Sequence, residues 1–355
     1  MDITFLVGNG FDLSLGYKTS YKDFYDYYLE QPNDSNHEKA ISHLKKSIKT
    51  DIETGAKNWA DFEIGLGKFT KEFQANEADE YAAAYDNAVM HLHSYLSRIN
   101  KQKKNLDSIN ENQWDEVRKN LCCFFQEARE CDRILFSKMK SEEQSRSIPA
   151  KFHFVSFNYT NILDECIDKI SQKPLEIWKV NSVELKHLVD KNVFHVHDPL
   201  SDYPIVGVSK EEQILNTEFR KNEPLCTSLI KPRAIDEIGV QRYNEVKDNI
   251  KKSRIICLWG LSIGASDEYW WTIINNWLKE DPNRHLFIFE YTDAPPNRIN
   301  VSDLYRKRRA VANRLLCYSK FSEEDRRNLI KRIYVIFNTQ KVLVFPKTTI
   351  SNVLH

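Results

Sequence analysis

The chain has 355 residues, with 51 lysines and arginines balanced by 51 aspartates and glutamates. That length fits one large domain or two ordinary ones, and a hydrophobic content of 41% supplies a sizeable core. Zero net charge with only short basic runs, at 101–104 and 306–309, argues against electrostatic nucleic-acid binding. No apolar run approaches the ~18 residues that span a bilayer.

The start, Met1-Asp2-Ile3-Thr4, lacks the basic region of a targeting signal, so a cytoplasmic protein is expected. Seven cysteines, at 122, 123, 131, 166, 226, 257 and 317, form no C-x-x-C pair. Several lie in apolar runs, the usage of a reducing compartment.

Residues 4–16 read as a first buried strand ending in a tight turn. The turn carries Gly8, Asn9, Gly10 and Asp12, and Gly16 follows. Ligand crevices of open α/β sheets lie at such carboxyl ends. Leu13 stands where the G-x-G-x-x-G fingerprint needs glycine, and no Gly-Lys-Ser or Gly-Lys-Thr occurs. Two readings follow: a nucleotide-binding turn, or a plain turn whose glycines take strained backbone positions.

From Ser20, with Asp23 three residues on as a capping pair, the pattern turns helical. The spacing predicts helices over 59–73, 79–97 and 114–140 within a helical block at 20–147. In that block Asn58 reads as a cap, and Trp59 and Glu63 share a helix face. Trp59, Asp61 and Glu63 read as structural, the alternative being a carboxylate that reaches a pocket.

Strands are expected at 151–158, 175–180, 193–197, 254–262, 285–290, 333–337 and 342–345, with helices at 265–280 and 303–316. Residues 199–232 lack periodicity and read as a lid or binding loop. The whole predicts one α/β domain, 1–355. Its sheet is Rossmann-like, doubly wound and mainly parallel, and the helical block is a large insertion after the first βα unit.

Four predicted strand ends carry polar residues. They are Gly8, Asn9, Gly10 and Asp12; Ser156, Asn158, Thr160 and Asn161; His195, His197 and Asp198; and Gly260, Ser262, Ser266 and Asp267. In a parallel sheet these ends share one edge. Asn158, Thr160, Asn161, Ser262 and Ser266 also suit helix capping. His195 and His197 would share a strand face. Spacing supplies them no third ligand, so no metal is expected. Trp270 and Trp271 read as core aromatics.

The run from Leu6 to Leu13 with Gly16, the segment 19–24, the segment 59–63, Ser156-Phe157-Asn158-Tyr159-Thr160, His195 with His197, and Gly260-Leu261-Ser262 with Ser266 and Asp267 resemble the bacteriophage abortive-infection AbiH family. The same skeleton is similar to a diverged sirtuin-type NAD-binding domain. Gly8, Gly10 and Gly16 keep the sirtuin glycine spacing, with Asp12 in place of serine. The sirtuin catalytic asparagine falls on Asn158, its His-Gly on His197-Asp198, and its Gly-Thr-Ser on Gly260-Leu261-Ser262. Zinc-ribbon cysteines are absent from the sequence.

The resemblance implies an antiphage effector that hydrolyses NAD at the nicotinamide–ribose bond. It implies Gly8 to Gly10 cradling the pyrophosphate and Asn158 holding ribose or water. His197 would be general base, a role that an imidazole titrating near ~6.5 suits. Asn9, Asp12, Gly16, Ser156, Thr160, His195, Gly260, Ser262 and Asp267 would line the cofactor site, with Ser262 and Asp267 at the adenosine half. NAD is then substrate rather than resident cofactor. A phage-derived trigger, a partner subunit and a homo-oligomer are the expected partners. The alternatives are a non-catalytic NAD or ADP-ribose sensor, a metal-dependent nuclease, and an interaction protein built on its helical block.

Overall fold

Among the described residues, seven strands share one sheet: β1 (Asp2–Val7), β2 (Lys151–Ser156), β3 (Glu176–Val180), β4 (Val183–His195), β5 (Ile255–Trp259), β6 (His285–Glu290) and β7 (Ile333–Phe337). Their order is β3-β4-β2-β1-β5-β6-β7. All neighbours are parallel except β3 and β4. This computed structural model describes residues 1–56, 59–102, 106, 109–180, 182–197, 205–238, 242–297 and 299–345. Asn58, Asp198 and residues 199–204 of the expected lid lie outside those residues.

The central strands are apolar on both faces because both are covered. Every residue of β5 is buried. Phe5, Val7, Phe154, Cys257 and Phe287 feed one core; Leu6, Val155, Leu258 and Ile288 feed the other. The first core takes helices Tyr21–Glu30, Glu38–Glu53, Trp59–Phe69 and Ala78–Lys101, through residues such as Phe24, Leu44, Phe62 and Leu92. The second takes Arg242–Lys252, Glu268–Glu280, Val301–Leu316 and Glu323–Ile330, through Val246, Trp271, Leu315 and Leu329. Trp270 and Trp271 are core aromatics, as expected.

Between β1 and β2 the described elements are all helical. The capping pair is present: Ser20 Oγ accepts from the Asp23 N–H, and the Asp23 carboxylate accepts from the Ser20 N–H. The helix expected over 114–140 is two, Glu111–Cys122 and Glu130–Ser145, with a 3-10 turn at Phe124–Glu127 between them. That break puts Phe124 edge-on to both Phe5 and Phe287.

Three expectations are corrected. β4 is long: its first half pairs antiparallel with β3, and its second half parallel with β2, so an edge hairpin closes that side. Residues 342–345 form no strand; Leu343 has φ +52°, and Val342, Leu343 and Phe345 plug the first core as side chains. The described part of the expected lid is built and packed. It holds helix Glu223–Leu229 and the start of Lys231–Ile238, with Ile205, Val206, Val208 and Phe219 buried.

Register aligns the strand ends. Val7 pairs with Ser156 and with Trp259, and Ser156 pairs with His195. The chain adds β2 and β4 on one side of β1, then β5, β6 and β7 on the other. Connections therefore diverge at the carboxyl ends of β1 and β5.

Candidate functional site

The glycines at that divergence pack backbone on backbone. The Gly8 N–H donates to the Trp259 carbonyl at 2.8 Å, and the Gly10 N–H to the Gly260 carbonyl at 3.0 Å. A Cβ on Gly8 would lie 2.6 Å from the Gly260 carbonyl oxygen, and one on Gly10 2.7 Å from the Gly260 Cα. Gly260 itself has φ +65°. Gly16, at φ +76°, ends the short helix Gly10–Ser14 in the left-handed conformation that glycine favours. The Gly8 and Gly10 amides thus serve the β5 turn. The Asn9 side chain is also engaged: its Nδ2 donates to the Thr19 carbonyl, which takes Trp59 Nε1–H as well.

Asp12 is fully buried, and its carboxylate accepts from Asn158 Nδ2 at 2.8 Å and from Thr160 Oγ1 at 2.5 Å. Burial pushes the Asp12 carboxyl up to about 7, against the pull of those two hydrogen bonds and with a further push from Asp164. Ser156 Oγ accepts from the Asn158 N–H and shapes the turn. Asn158 and Thr160 therefore bind Asp12 instead of capping helix Ile162–Ser171. Asn161 stands at the cap position before that helix; its side chain makes no capping bond, and its N–H goes to Asn100.

The alternate residues of the same segment reach a different group. Tyr159 stacks on the His197 ring at 4.8 Å, and Phe157 meets it edge-on. His197 Nε2 lies 3.4 Å from Asp267 Oδ1, and that oxygen also takes Lys231 Nζ at 2.7 Å. Lys231 reaches Glu63 Oε1 at 3.0 Å, and the Tyr159 hydroxyl donates to the same oxygen at 2.6 Å. Glu63, His197 and Lys231 are 2%, 2% and 4% exposed. Glu63 comes from helix Trp59–Phe69, Lys231 opens helix Lys231–Ile238, and Asp267 ends the 3-10 turn Ala265–Asp267.

The electrostatics are those of one paired cluster. Burial alone would raise the Asp267 carboxyl, but Lys231 and then His197 outweigh it and hold it far below the usual range. Burial would depress Lys231, and Asp267 and Glu63 reverse that. Burial, then Glu63, pushes the Tyr159 phenol well above its ordinary value. One ammonium between two carboxylates leaves the cluster one negative charge in excess when His197 is neutral. A small cavity beside it is lined by His197, Ser209, Lys231, Tyr243, Ser266 and Trp270, among others. Among the described residues, His197 Nδ1, Ser266 Oγ and Asn158 Oδ1 are buried without a hydrogen-bond partner. An imidazole with one nitrogen on a carboxylate and the other unpartnered is equipped to take up a proton.

Three placements differ from expectation. β4 ends at His195, so strand alternation does not extend to His197. His195 Nε2 instead sits 3.0 Å from both Asp164 oxygens. Asp267, expected at an adenosine half, is committed to Lys231 and His197. Ser262 is exposed and outside this network. Asn158 and His197 belong to two hydrogen-bonded groups joined through 157–160. Lys231 was missed; its signal was a lone lysine following the apolar Leu229 and Ile230 and preceding Pro232. Glu63, read as structural, is the carboxylate that reaches the cluster. Among the described residues no three His, Cys, Asp or Glu side chains are arranged to hold a metal.

The family model for bacteriophage abortive infection AbiH matches residues 4–289. The chain belongs to the AbiH family. The AbiH match includes all four polar strand ends, Glu63 and Lys231, and membership implies a role in abortive infection, a defence against phage. A search of the curated proteins gave no match for this AbiH chain. Among its described residues no helix is long and apolar enough to cross a membrane, and all seven cysteines are free thiols.

Proposed function

We propose that this AbiH protein is a defence effector that hydrolyses NAD at its nicotinamide–ribose bond. The observation that carries the reading is His197, braced at Nε2 by Asp267 and buried with Nδ1 unpartnered at the carboxyl edge of a parallel sheet. The strand order supports it. Counted along the chain, the parallel strands run third, second, first, fourth, fifth, sixth, the order of Rossmann-like doubly wound sheets whose dinucleotide crevice lies at the switch between β1 and β5. On this reading the helical block is an insertion that delivers Glu63.

Cleavage of the N-glycosidic bond passes through an oxocarbenium-like ribosyl cation. The bonding pair leaves with the pyridinium nitrogen and gives neutral nicotinamide. Water attacks the ribosyl carbon, and its proton passes to His197 Nδ1. The excess negative charge of Glu63 and Asp267 over Lys231 favours the developing cation. Asn158 Oδ1 accepts from a ribose hydroxyl or from the attacking water. Both groups are 2% exposed, so substrate reaches them only when covering residues move. On this reading resting activity is low, and a phage-derived trigger, a partner subunit or self-association would open the site.

The test is nicotinamide release from NAD by purified protein and in phage-infected cells. His197→Ala and Asn158→Ala are each expected to lower release by about 10²-fold or more. Unchanged release by both variants refutes the assignment. The burial of Asn158 and His197, each 2% exposed, favours a second reading, a sensor that binds NAD or ADP-ribose without turnover. Thermal stabilisation by NAD with no release in infected cells selects it.

A further inference from the structure

Helix Val301–Leu316 follows β6 and packs on the second core. Val301, Tyr305, Ala312 and Leu316 fall on one stripe of it, at positions i, i+4, i+11 and i+15. The far half of that stripe is core: Ala312 is 2% exposed and Leu316 is fully buried. The near half is bare, with Val301 77% and Tyr305 59% exposed. Ile299, two residues before the helix, is 93% exposed. An apolar stripe thus runs out of the core into solvent, with nothing among the described residues covering it.

The bare end is held in shape. Asn300 Oδ1 accepts from the Asp303 N–H at 3.1 Å, and the Asp303 carboxylate accepts from the Asn297 N–H at 2.9 Å. Lys307 Nζ donates to the Ala294 and Pro295 carbonyls at 3.0 and 3.1 Å and lies 3.3 Å from Asp303. Those contacts use one cation and one carboxylate, which leaves Arg306, Arg308 and Arg309. None of the three makes an ion pair among the described residues. The Arg309 guanidinium lies over the Tyr305 ring, 5.6 Å from its centroid. Arg308 is half-buried, and burial, then Arg129, works against its charge. Arg129 itself is held by Asp132 at 2.6 Å. A half-buried guanidinium beside an exposed apolar stripe is complementary to a carboxylate carried on an apolar chain.

We propose that Ile299, Val301 and Tyr305 seat an acidic amphipathic segment of another protein, whose apolar side chains extend the stripe and whose carboxylate pairs with Arg308. A second copy meeting this one by the same face would set the arginines against each other. A bilayer surface is flat and presents no carboxylate that reaches into the Arg308 recess. A nucleic acid gains nothing from Ile299 and Val301, and Arg309 already covers one face of the Tyr305 ring. The proposal needs no NAD chemistry.

The experiment selects a displayed library of random dodecapeptides on the purified full-length protein, with counter-selection on a Tyr305→Ser, Arg308→Gln double variant. Enriched peptides are expected to combine Asp or Glu with Leu, Ile or Phe at helical spacing. A synthetic copy of the enriched peptide should bind Arg308→Gln about tenfold more weakly than wild type, and Val301→Ser likewise. Val301 is too exposed for its loss to unfold the protein. Arg306→Gln, off the stripe, should change affinity less than about twofold. No enrichment over the double variant overturns the proposal, as does enrichment of basic or uncharged peptides. Self-association, or sedimentation with phosphatidylglycerol vesicles, also overturns it when Val301→Ser abolishes the effect, because the occupant is then a second copy or a membrane.

Discussion

His187 lies in the first half of β4, and His197 lies two residues beyond its end. Both rings are 2% exposed, yet they differ in what holds them. His187 is held by a backbone amide and an indole edge. His197 meets a carboxylate that a buried lysine already claims, and that lysine holds a second carboxylate. The sheet explains the contrast. At its carboxyl edge, segments 36 to 204 residues apart in sequence, carrying Glu63, Tyr159, Lys231 and Asp267, meet in one place. At its amino edge an antiparallel hairpin and the helices around Phe124 and Phe136 bring apolar walls. Burial alone thus assigns no role to a histidine; the partners do.

Removing one polar partner at each end sharpens that contrast most. Lys231→Met leaves two carboxylates buried without their cation and is expected to cost about 3–5 kcal/mol. His187→Phe orphans only the Ala150 N–H and should cost about 1–3 kcal/mol. Urea denaturation measures both, and a smaller loss at Lys231 than at His187 breaks the comparison.

Asp12 tests the carboxyl edge by pH. Its folded-state pKa, about 7, stands above the ordinary 3.8, so the folded protein holds a proton that the unfolded chain releases. That contribution is full below about pH 4 and is lost as pH rises through about 7. Between pH 5 and pH 8 the wild type should lose about 2–3 kcal/mol more stability than Asp12→Asn. Parallel losses in the two proteins contradict a buried, raised carboxyl.

Gly10→Ala separates packing from ligand binding at the same edge. With its Cβ 2.7 Å from the Gly260 Cα, it is expected to cost about 1–3 kcal/mol with no ligand present. An unchanged melting temperature returns that glycine to a ligand role. Ser20→Ala, at the amino end of helix Tyr21–Glu30, is the mildest change, at about 1 kcal/mol. A larger loss there would mean that the helical block, rather than the sheet edge, limits stability.

Much of this was legible in the sequence. The β1, β2, β5, β6 and β7 strands were visible because strands buried on both faces read as continuous apolar runs bounded by glycine and polar residues. The Ser20 cap was visible because its partner is three residues away. The polar strand ends were visible because a parallel sheet puts them on one edge whatever else it does. Tertiary structure alone decided the rest. Residues 342–345 are as apolar as a strand, but Trp259 Nε1–H takes the Val342 carbonyl and no ladder forms. The hairpin of β3 and β4 depended on pairing, which no local pattern encodes. The roles of Gly8 and Gly10 turned on how close the β5 backbone comes. Lys231 had no motif, and Glu63 had only a helical one. Their meaning is one contact of 3.0 Å across 168 positions of chain. Local sequence fixes periodicity and caps through neighbours a turn away, whereas ion pairs and orphaned donors are set by which distant segments the fold brings together.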